Sequence, residues 1–290
     1  MQRREANGWH LSSSFGERLR TAVDESGRLC VGIDPHPYLL KDWGLPDSAE
    51  GAREFSLRVL AATDGAAAVV KPQVAFFERH GSAGYAALEE VLATARRLGL
   101  LVIADAKRGD VGTSVEAYGQ AWLTPGSPLE ADALTVSAFQ GVGSLASVFA
   151  LANSEGKGLF VLAATSNPES RVLQQSMTAE GRSVAATIAD DVVRWNSVAT
   201  PDAPWGSVGL VLGATVALRD YAIDTADLEG TPVLAPGFGH QGAQLSELRP
   251  IFGVAAPSVL VNASRSILSA GPDGVARAIR EHAEEIAAAL

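Results

Sequence analysis

The chain is poor in cysteine and has no long apolar segment, and these two shortages exclude several classes of protein. Cys30 is the only cysteine among 290 residues, so neither an intrachain disulfide nor a site with several thiolate ligands can form. No apolar run approaches the length of a membrane span, and the N-terminal segment lacks the apolar stretch of a signal peptide. We therefore expect a cytoplasmic protein that does not enter a membrane.

Basic residues are also scarce, with 23 lysines and arginines against 33 aspartates and glutamates. The net charge of −10 argues against a nucleic-acid-binding surface, because phosphate backbones require clustered lysine and arginine. The five histidines show no H-x-H or H-E-x-x-H spacing, so the sequence does not indicate a metal site. We expect no nucleic-acid partner, and any anionic ligand must be held by a local group of residues.

Short apolar runs alternate with longer segments of helical periodicity, a pattern typical of a parallel sheet. An additional helix is predicted at 14–26, before the first strand, where it would cover the N-terminal end of the sheet. Eight strand and helix units in about 250 residues favour an α/β fold of the (β/α)8 barrel type, formed as a single domain over 1–290. A doubly wound open sheet is the second possibility. The predicted strands are 29–33, 66–70, 100–104, 131–136, 159–163, 207–212, 231–235 and 258–261.

Polar residues follow the predicted strands at the end where a barrel of this type builds its active site. Each one alone has an ordinary explanation as a turn residue, a helix cap or a surface charge. Six strand ends that converge on one mouth favour a functional site instead. The residues are Asp34 after strand one, Lys71 after strand two, Asp105 and Lys107 on strand three, Ser137 after strand four, the segment 235–242 after strand seven and Arg265 after strand eight.

The third of these strand ends is the most informative. Asp105 and Lys107 are two residues apart, so strand alternation puts their side chains on the same face. Asp110 follows Gly109, where the chain has turned into a loop that can reach a different surface. An ammonium group flanked by carboxylates is either a structural ion network or a tuned catalytic acid. The apolar strand that precedes it favours the catalytic interpretation.

The segment after strand seven indicates a phosphate site. Gly237, Gly239 and Gly242 allow backbone N–H groups to approach an anion, and Arg265 adds a fork of donors. The loops after strands seven and eight are the usual phosphate site of this barrel. We therefore predict a phosphorylated small-molecule ligand, with His240 capping the loop rather than contacting the phosphate.

Several of these segments together resemble the orotidine 5′-phosphate decarboxylase family, and the overall pattern is similar to its longer bacterial subgroup. The hallmark is D-x-K-R-x-D followed by a small hydroxyl residue. In this chain the matching residues are Asp105, Lys107, Arg108, Asp110 and Ser114. The resemblance extends to VGIDP at 31–35, KPQVAFFE at 71–78, TSNP at 165–168, the glycine-rich loop and NASRSI at 262–267.

The resemblance implies a homodimer that converts orotidine 5′-monophosphate (OMP) to uridine 5′-monophosphate (UMP) and CO2, the last step of de novo pyrimidine biosynthesis, without metal or cofactor. It implies a catalytic charge array of Lys71, Asp105, Lys107 and Asp110, with Asp110 crossing from the partner and Lys107 donating a proton to a C6 carbanion. It further implies that Asp34 and the partner's Ser114 contact the ribose, Ser137 the pyrimidine, and Gln241 with Arg265 the phosphate. Ser114 stands where the family commonly has threonine, and His240 and Ala243 depart from its usual phosphate loop.

Two alternatives remain open at this point. A sugar-phosphate decarboxylase or aldolase of the same superfamily shares D-x-K-x-x-D but typically needs magnesium. Lys71 and the Lys107–Arg108 pair favour the nucleotide enzyme. The other alternative is a catalytically silent phosphate-binding barrel, against which the four charged positions argue.

Overall fold

The computed structural model describes residues 13–239 and 242–289. Within these residues eight parallel strands close into a barrel in sequence order, which confirms the (β/α)8 fold and rejects the open doubly wound sheet. The strands are β1 (Leu29–Ile33), β2 (Val69–Pro72), β3 (Leu101–Arg108), β4 (Ala133–Ser137), β5 (Gly158–Ala164), β6 (Val208–Leu212), β7 (Val233–Pro236) and β8 (Val259–Ala263).

Helices surround the barrel, and most connections between strands contain at least one of them. The α-helices are α1 (Phe15–Ser26), α2 (Pro37–Asp42), α3 (Ala49–Thr63), α4 (Ala75–Glu78), α5 (Gly81–Arg97), α6 (Gly112–Leu123), α7 (Ala146–Ser154), α8 (Arg171–Gln174), α9 (Val184–Ala199), α10 (Leu248–Phe252), α11 (Arg265–Leu268) and α12 (Gly271–Ala288). Short 3-10 helices are Val142–Leu145, Pro168–Ser170, Leu218–Tyr221, Thr225–Leu228, Leu245–Glu247 and Gly253–Ser258. The described residues contain no helix that is both long and apolar enough to cross a membrane.

The predicted N-terminal helix is confirmed and lies against the N-terminal end of the barrel. Ser14 and Glu17 form a reciprocal capping box at its start, which satisfies two backbone N–H groups that the first turn leaves free. Phe15 packs edge-on against Phe160 of β5, with ring centroids 6.1 Å apart. Any side chain at Gly158 would collide with the Phe15 ring, so the helix approaches β5 closely only because that residue is glycine.

A buried ion pair fixes the same helix to the loops before β4 and β5. Arg18 Nη1 lies 2.7 Å from Asp132 Oδ1, and Arg18 Nη2 donates to the Gly156 carbonyl oxygen at 2.8 Å. The other oxygen of Asp132 accepts from the Val102 N–H at 3.0 Å. The charges are therefore paired and hydrogen-bonded at the same time, as burial requires.

The connection from α5 to β3 determines where β3 begins in the barrel wall. Leu88, Val91 and Leu92 form the buried face of α5. The helix ends at Arg97, and Gly99, two residues later, has a φ of 72°, which lies in the left-handed region that a glycine adopts without steric cost. The chain then enters β3 directly, so the apolar residues of this strand lie in the barrel wall.

Strand alternation divides the apolar residues into two layers. Those that face outward pack beneath the helices, and those that face inward fill the barrel together with α1. The inward-facing positions of β3 are Leu101 and Ile103, followed by Asp105 and Lys107. The barrel interior is therefore apolar at its N-terminal end and polar at its C-terminal end.

Candidate active site

Three charged side chains meet at the C-terminal ends of β2 and β3, and we call them the lysine–aspartate cluster: Lys71, Asp105 and Lys107. Lys71 Nζ lies 2.6 Å from Asp105 Oδ2, and Lys107 Nζ lies 2.6 Å from Asp105 Oδ1. The side chains of Lys71 and Asp105 are 6% and 8% exposed, whereas that of Lys107 is 46% exposed. The Lys71 ammonium group is thus buried inside the barrel, whereas the Lys107 ammonium group lies at its open end.

The Asp105 carboxylate receives donors on both oxygens. Thr135 Oγ1 donates to Oδ1 at 2.9 Å, beside the Lys107 ammonium. The Gln73 amide satisfies both of its neighbours when its nitrogen donates to Asp105 Oδ2 and its oxygen lies 3.2 Å from Lys107 Nζ. With four donors around it, the carboxylate has a single orientation.

Neighbouring groups of opposite charge have a larger net effect than burial on the pKa values of Asp105 and Lys71. Burial alone would raise the pKa of Asp105, but Lys71 and Lys107 outweigh burial and hold that pKa well below its ordinary value. Burial alone would lower the pKa of Lys71, but Asp105 and Asp34 outweigh it and raise that pKa above its ordinary value. Lys71 and Asp105 are therefore an ion pair at neutral pH.

The lowered pKa of Asp105 predicts a pH-dependent contribution to stability. A carboxylate with a depressed folded-state pKa contributes fully above its unfolded value, ordinarily 3.8, and loses that contribution as the pH falls towards the folded value. We expect the difference in free energy of unfolding between wild type and Asp105→Asn to shrink by roughly 1 kcal/mol from pH 7 to pH 3. Urea unfolding of both proteins at the two pH values measures this difference, and a difference that grows at pH 3 would contradict the ion pair.

Lys107 has a left-handed backbone with φ of 49°, which is uncommon for a residue other than glycine. The pairing of β3 with β4 shifts register at the same place, between Ala104 and Arg108. The Lys107 N–H donates to Thr135 Oγ1 at 2.9 Å. Thr135 is not among the predicted site residues, although it lies on the inward face of β4 two residues before Ser137.

A cavity of about 710 Å³ opens over the cluster, and we call it the larger cavity. The predicted residues Asp34 and Ser137 line it, as do all three residues of the cluster. The segment after β5 lines its other side through Thr165, Ser166 and Asn167. These three residues belong to the TSNP segment, which carried no predicted role beyond the family resemblance. The polar residues that line the larger cavity and were not predicted as site residues are Gln73, Thr135, Thr165, Ser166, Asn167, Glu169, Ser170, Gln174 and Asn262.

A smaller cavity of about 390 Å³ lies beside the larger one and contains Arg265, Gly237 and Phe238 in its wall. The two cavities share lining residues, so they adjoin one another. The shared residues are Asp34, Gln73, Pro236 and Asn262. Arg265 therefore lies beside Gly237 in a cavity that adjoins the cluster, and its contact with phosphate stays a prediction. His240 and Gln241 are outside the described residues, and their predicted contacts stay predictions.

Two acceptor oxygens lie at the junction between the cavities. Asp34 Oδ2 accepts from Ser264 Oγ at 2.6 Å. Within 13–239 and 242–289, Asp34 Oδ1 and Asn262 Oδ1 are buried without a hydrogen-bond partner. Buried acceptors of this kind are normally paired, so the junction suits a ligand that donates hydroxyl protons.

Asp110 and Ser114 do not join the cluster within one chain. Asp110 Oδ1 accepts from the Val111 N–H at 2.9 Å, and Ser114 lies exposed on α6. Neither residue is part of the wall of either cavity. The side chain of Val111 next to them is 55% exposed, and that of Tyr118 is 38% exposed. The prediction that Asp110 serves a partner's site therefore stays a prediction.

Arg108, the remaining hallmark residue, points away from both cavities. Its Nη2 donates to Glu78 Oε1 at 3.0 Å and to the Tyr85 hydroxyl at 3.2 Å. Its guanidinium lies 5.6 Å from the centre of the Tyr118 ring. Arg108 thus anchors the end of β3 to α4, α5 and α6, and it contributes no contact to the cluster.

Acidic and histidine side chains do not supply a metal-ligand set in the part of the chain that the structure describes. No three His, Cys, Asp or Glu side chains converge there in a way that could hold an ion. The positive charges that face the larger cavity come from lysine.

Comparisons with known proteins place most of the chain in one family. Residues 27–280 match the family described as orotidine 5′-phosphate decarboxylase / HUMPS. Orotidine 5′-phosphate decarboxylase of Salinispora tropica is 51% identical over 263 residues, which cover 91% of this chain and 92% of the relative. The enzyme of that name from Corynebacterium glutamicum is 48% identical over 260 residues, covering 90% and 92%.

Solved structures give the same result. A crystal structure from Streptomyces avermitilis, provisionally named orotidine 5′-phosphate decarboxylase, has a TM-score of 0.90 and 47% identity, and the match covers 96% of both chains. The OMP decarboxylase of Leishmania donovani has a TM-score of 0.76 and 30% identity, covering 95% of this chain and 98% of that one. The chain belongs to the orotidine 5′-phosphate decarboxylase / HUMPS family.

Proposed function

We propose that the protein decarboxylates OMP to UMP and CO2, the last step of de novo pyrimidine biosynthesis, without metal or cofactor. The observation that carries the proposal is the Asp105 carboxylate, which holds two ammonium groups at 2.6 Å below a cavity that adjoins Arg265. A site for this reaction needs fixed positive charge next to the reacting carbon and a separate anchor for phosphate. The two lysines would supply the first feature, and Arg265 in the adjoining cavity would supply the second.

The two cavities suit the phosphate, ribose and base of a nucleoside monophosphate. The smaller cavity, with Arg265 and the backbone at Gly237, would bind the phosphate. The unpaired oxygens of Asp34 and Asn262 at the junction would accept from the ribose hydroxyls. The larger cavity would then hold the pyrimidine over the lysine–aspartate cluster, with Ser137 in its wall.

Lys107 would be the proton donor. When the bond between C6 and the carboxylate breaks, CO2 leaves and its electron pair stays on C6. The carbanion has little resonance stabilisation, so the required barrier reduction lies high in the range of roughly 8–23 kcal/mol that enzymes achieve. The half-exposed Lys107 ammonium would stabilise the developing negative charge and then transfer a proton to C6, which gives UMP. The neutral amine would regain a proton from water.

Asp105 and Lys71 would keep this ammonium group in place. The Lys107 ammonium lies 2.6 Å from the Asp105 carboxylate, which the buried Lys71 holds from its other side. The arrangement is preorganised, so little reorganisation is needed when charge develops at C6.

The proposal includes a homodimer. Within one chain the cluster has two ammonium groups and one carboxylate, and Asp110 is turned away from it on a surface with exposed apolar residues. Asp110 of a second chain would supply the missing carboxylate beside Lys107, and the partner's Ser114 would contact the ribose.

Substrate specificity tests the proposal against its alternatives. We expect the purified protein to remove the orotate absorbance of OMP with formation of equal amounts of UMP and CO2, and to leave sugar phosphates unchanged with or without magnesium. Absence of OMP turnover together with magnesium-dependent reaction of a sugar phosphate would reject the proposal in favour of that enzyme class. Thermal stabilisation by UMP without any turnover would support the silent phosphate-binding barrel.

A further inference from the structure

We propose that Thr135 is a positioning residue for Lys107, and that its hydroxyl group holds the proton donor in the conformation that reaches Asp105. This inference rests on the proposed function and extends it by one residue on β4 that carries no charge.

The hydroxyl group of Thr135 bridges the two charged residues of β3. Its oxygen lies 2.9 Å from the Lys107 backbone nitrogen and 2.9 Å from Asp105 Oδ1, and the residue is 1% exposed. A backbone N–H only donates, so the hydroxyl oxygen accepts from Lys107. An ionised carboxylate only accepts, so the hydroxyl proton is directed at Asp105. One buried hydroxyl therefore joins the backbone of Lys107 to the side chain of Asp105.

The irregular pairing of β3 and β4 explains why the Lys107 N–H donates to a side chain and not to a backbone carbonyl group. Ala104 pairs with Leu134, and the next pair is Arg108 with Val136. Three residues of β3 therefore lie opposite the single residue Thr135, as in a β-bulge. Within this bulge the Lys107 N–H bonds to the Thr135 side chain, in place of a backbone acceptor on β4.

The bulge also gives Lys107 its left-handed backbone, with φ of 49°. This conformation is unfavourable for a residue with a side chain and persists only when neighbouring contacts enforce it. Asp105 lies only two residues before Lys107 on the same strand. With this backbone conformation, Lys107 Nζ lies 2.6 Å from Asp105 Oδ1. Loss of the Thr135 hydroxyl would remove the contact that enforces the conformation and would leave the Lys107 N–H unpaired.

The test compares Thr135→Val with Thr135→Ser. Valine keeps the β-branched shape and removes the hydroxyl group, whereas serine keeps the hydroxyl group. We expect Thr135→Val to lower kcat for OMP by at least about tenfold with little change in KM or in UMP affinity, and Thr135→Ser to restore most of kcat. Thr63→Val is the matched control, because Thr63 is also fully buried but donates to the Val59 carbonyl oxygen within α3. Its kcat should be that of wild type.

A second readout is independent of turnover. In crystal structures of the variants, we expect Lys107 to leave the left-handed region and its Nζ to move away from Asp105 in Thr135→Val but not in Thr135→Ser. Wild-type kcat in Thr135→Val, or an unchanged Lys107 in its structure, would overturn the inference, as would equal loss of kcat and UMP affinity in both variants. If Thr135→Val does not fold, Thr135→Ala replaces it. Failure of wild type to decarboxylate OMP would reject the proposed function, while the crystal structures still decide the role of Thr135.

Discussion

Lys107→Ala is expected to abolish OMP decarboxylation while UMP still binds. Loss of a general acid alone typically lowers a rate by about 10²–10⁴-fold, and the same substitution removes the positive charge that we propose stabilises the carbanion at C6. The effect on kcat should therefore exceed the upper end of that range. Folding should be little affected, because the Lys107 side chain is 46% exposed and the buried pair of Lys71 and Asp105 is retained.

The measurement is single-turnover loss of orotate absorbance, with UMP affinity determined by calorimetry. Lys41→Ala is a suitable control, since Lys41 lies exposed on α2, and it should have wild-type kinetics. Turnover by Lys107→Ala near the wild-type rate would show that this residue is not the proton donor. Loss of UMP affinity with unchanged kcat would assign it a binding role instead.

The second large effect that we expect is recovery of activity when two inactive variants exchange subunits. Lys107→Ala and Asp110→Asn should each be inactive alone, because each removes one charge from every site. In a mixed dimer, the Asp110→Asn chain supplies Lys107 and the Lys107→Ala chain supplies Asp110, so one of the two sites is intact. After random exchange of equal amounts, half of the dimers are mixed and about a quarter of the wild-type sites should be active.

A matched mixture distinguishes exchange of Asp110 from other effects of mixing. Asp105 and Lys107 contact one another within a single chain at 2.6 Å. A mixture of Asp105→Asn with Lys107→Ala therefore has one defect in every site and should stay inactive. No recovery in the first mixture, with exchange verified by native mass spectrometry, would contradict the assignment of Asp110 to the partner's site.

Much of the fold could be predicted because its signals are local. Each strand is a short apolar run, and α5 ends at Arg97, two residues before Gly99, a residue typical of a helix C-terminus. The same alternation predicts that Asp105 and Lys107 share a face, and their contact to one another agrees with it. The predicted third strand at 100–104 was too short, since β3 extends through Arg108. Charged residues ordinarily indicate a loop, but the charged residues at the end of β3 still belong to the strand and to the barrel wall.

The sixth unit differs from the expected pattern. Between β6 and β7 the described chain forms the 3-10 helices Leu218–Tyr221 and Thr225–Leu228 and no α-helix. The buried residues of this segment, including Leu218 and Leu228, cover the barrel from short turns. A regular count of strand and helix units does not reveal which connection is shortened.

The roles of Thr135 and Gln73 depend on contacts between strands and could not be predicted from local sequence. Thr135 meets Lys107 only because β3 and β4 shift register between Ala104 and Arg108. Side-chain alternation places Thr135 inside the barrel but gives no indication of a bulge on the neighbouring strand. The left-handed backbone of Lys107 has the same cause.

In the proposed mechanism, fixed lysine and aspartate charges carry out the decarboxylation without a metal ion. The most direct test is the rate of orotate absorbance loss from OMP after the protein has been dialysed against a strong chelator and assayed in its presence. We expect the same kcat as before dialysis and no increase when magnesium is added. A rate that disappears on chelation and returns with magnesium would contradict it.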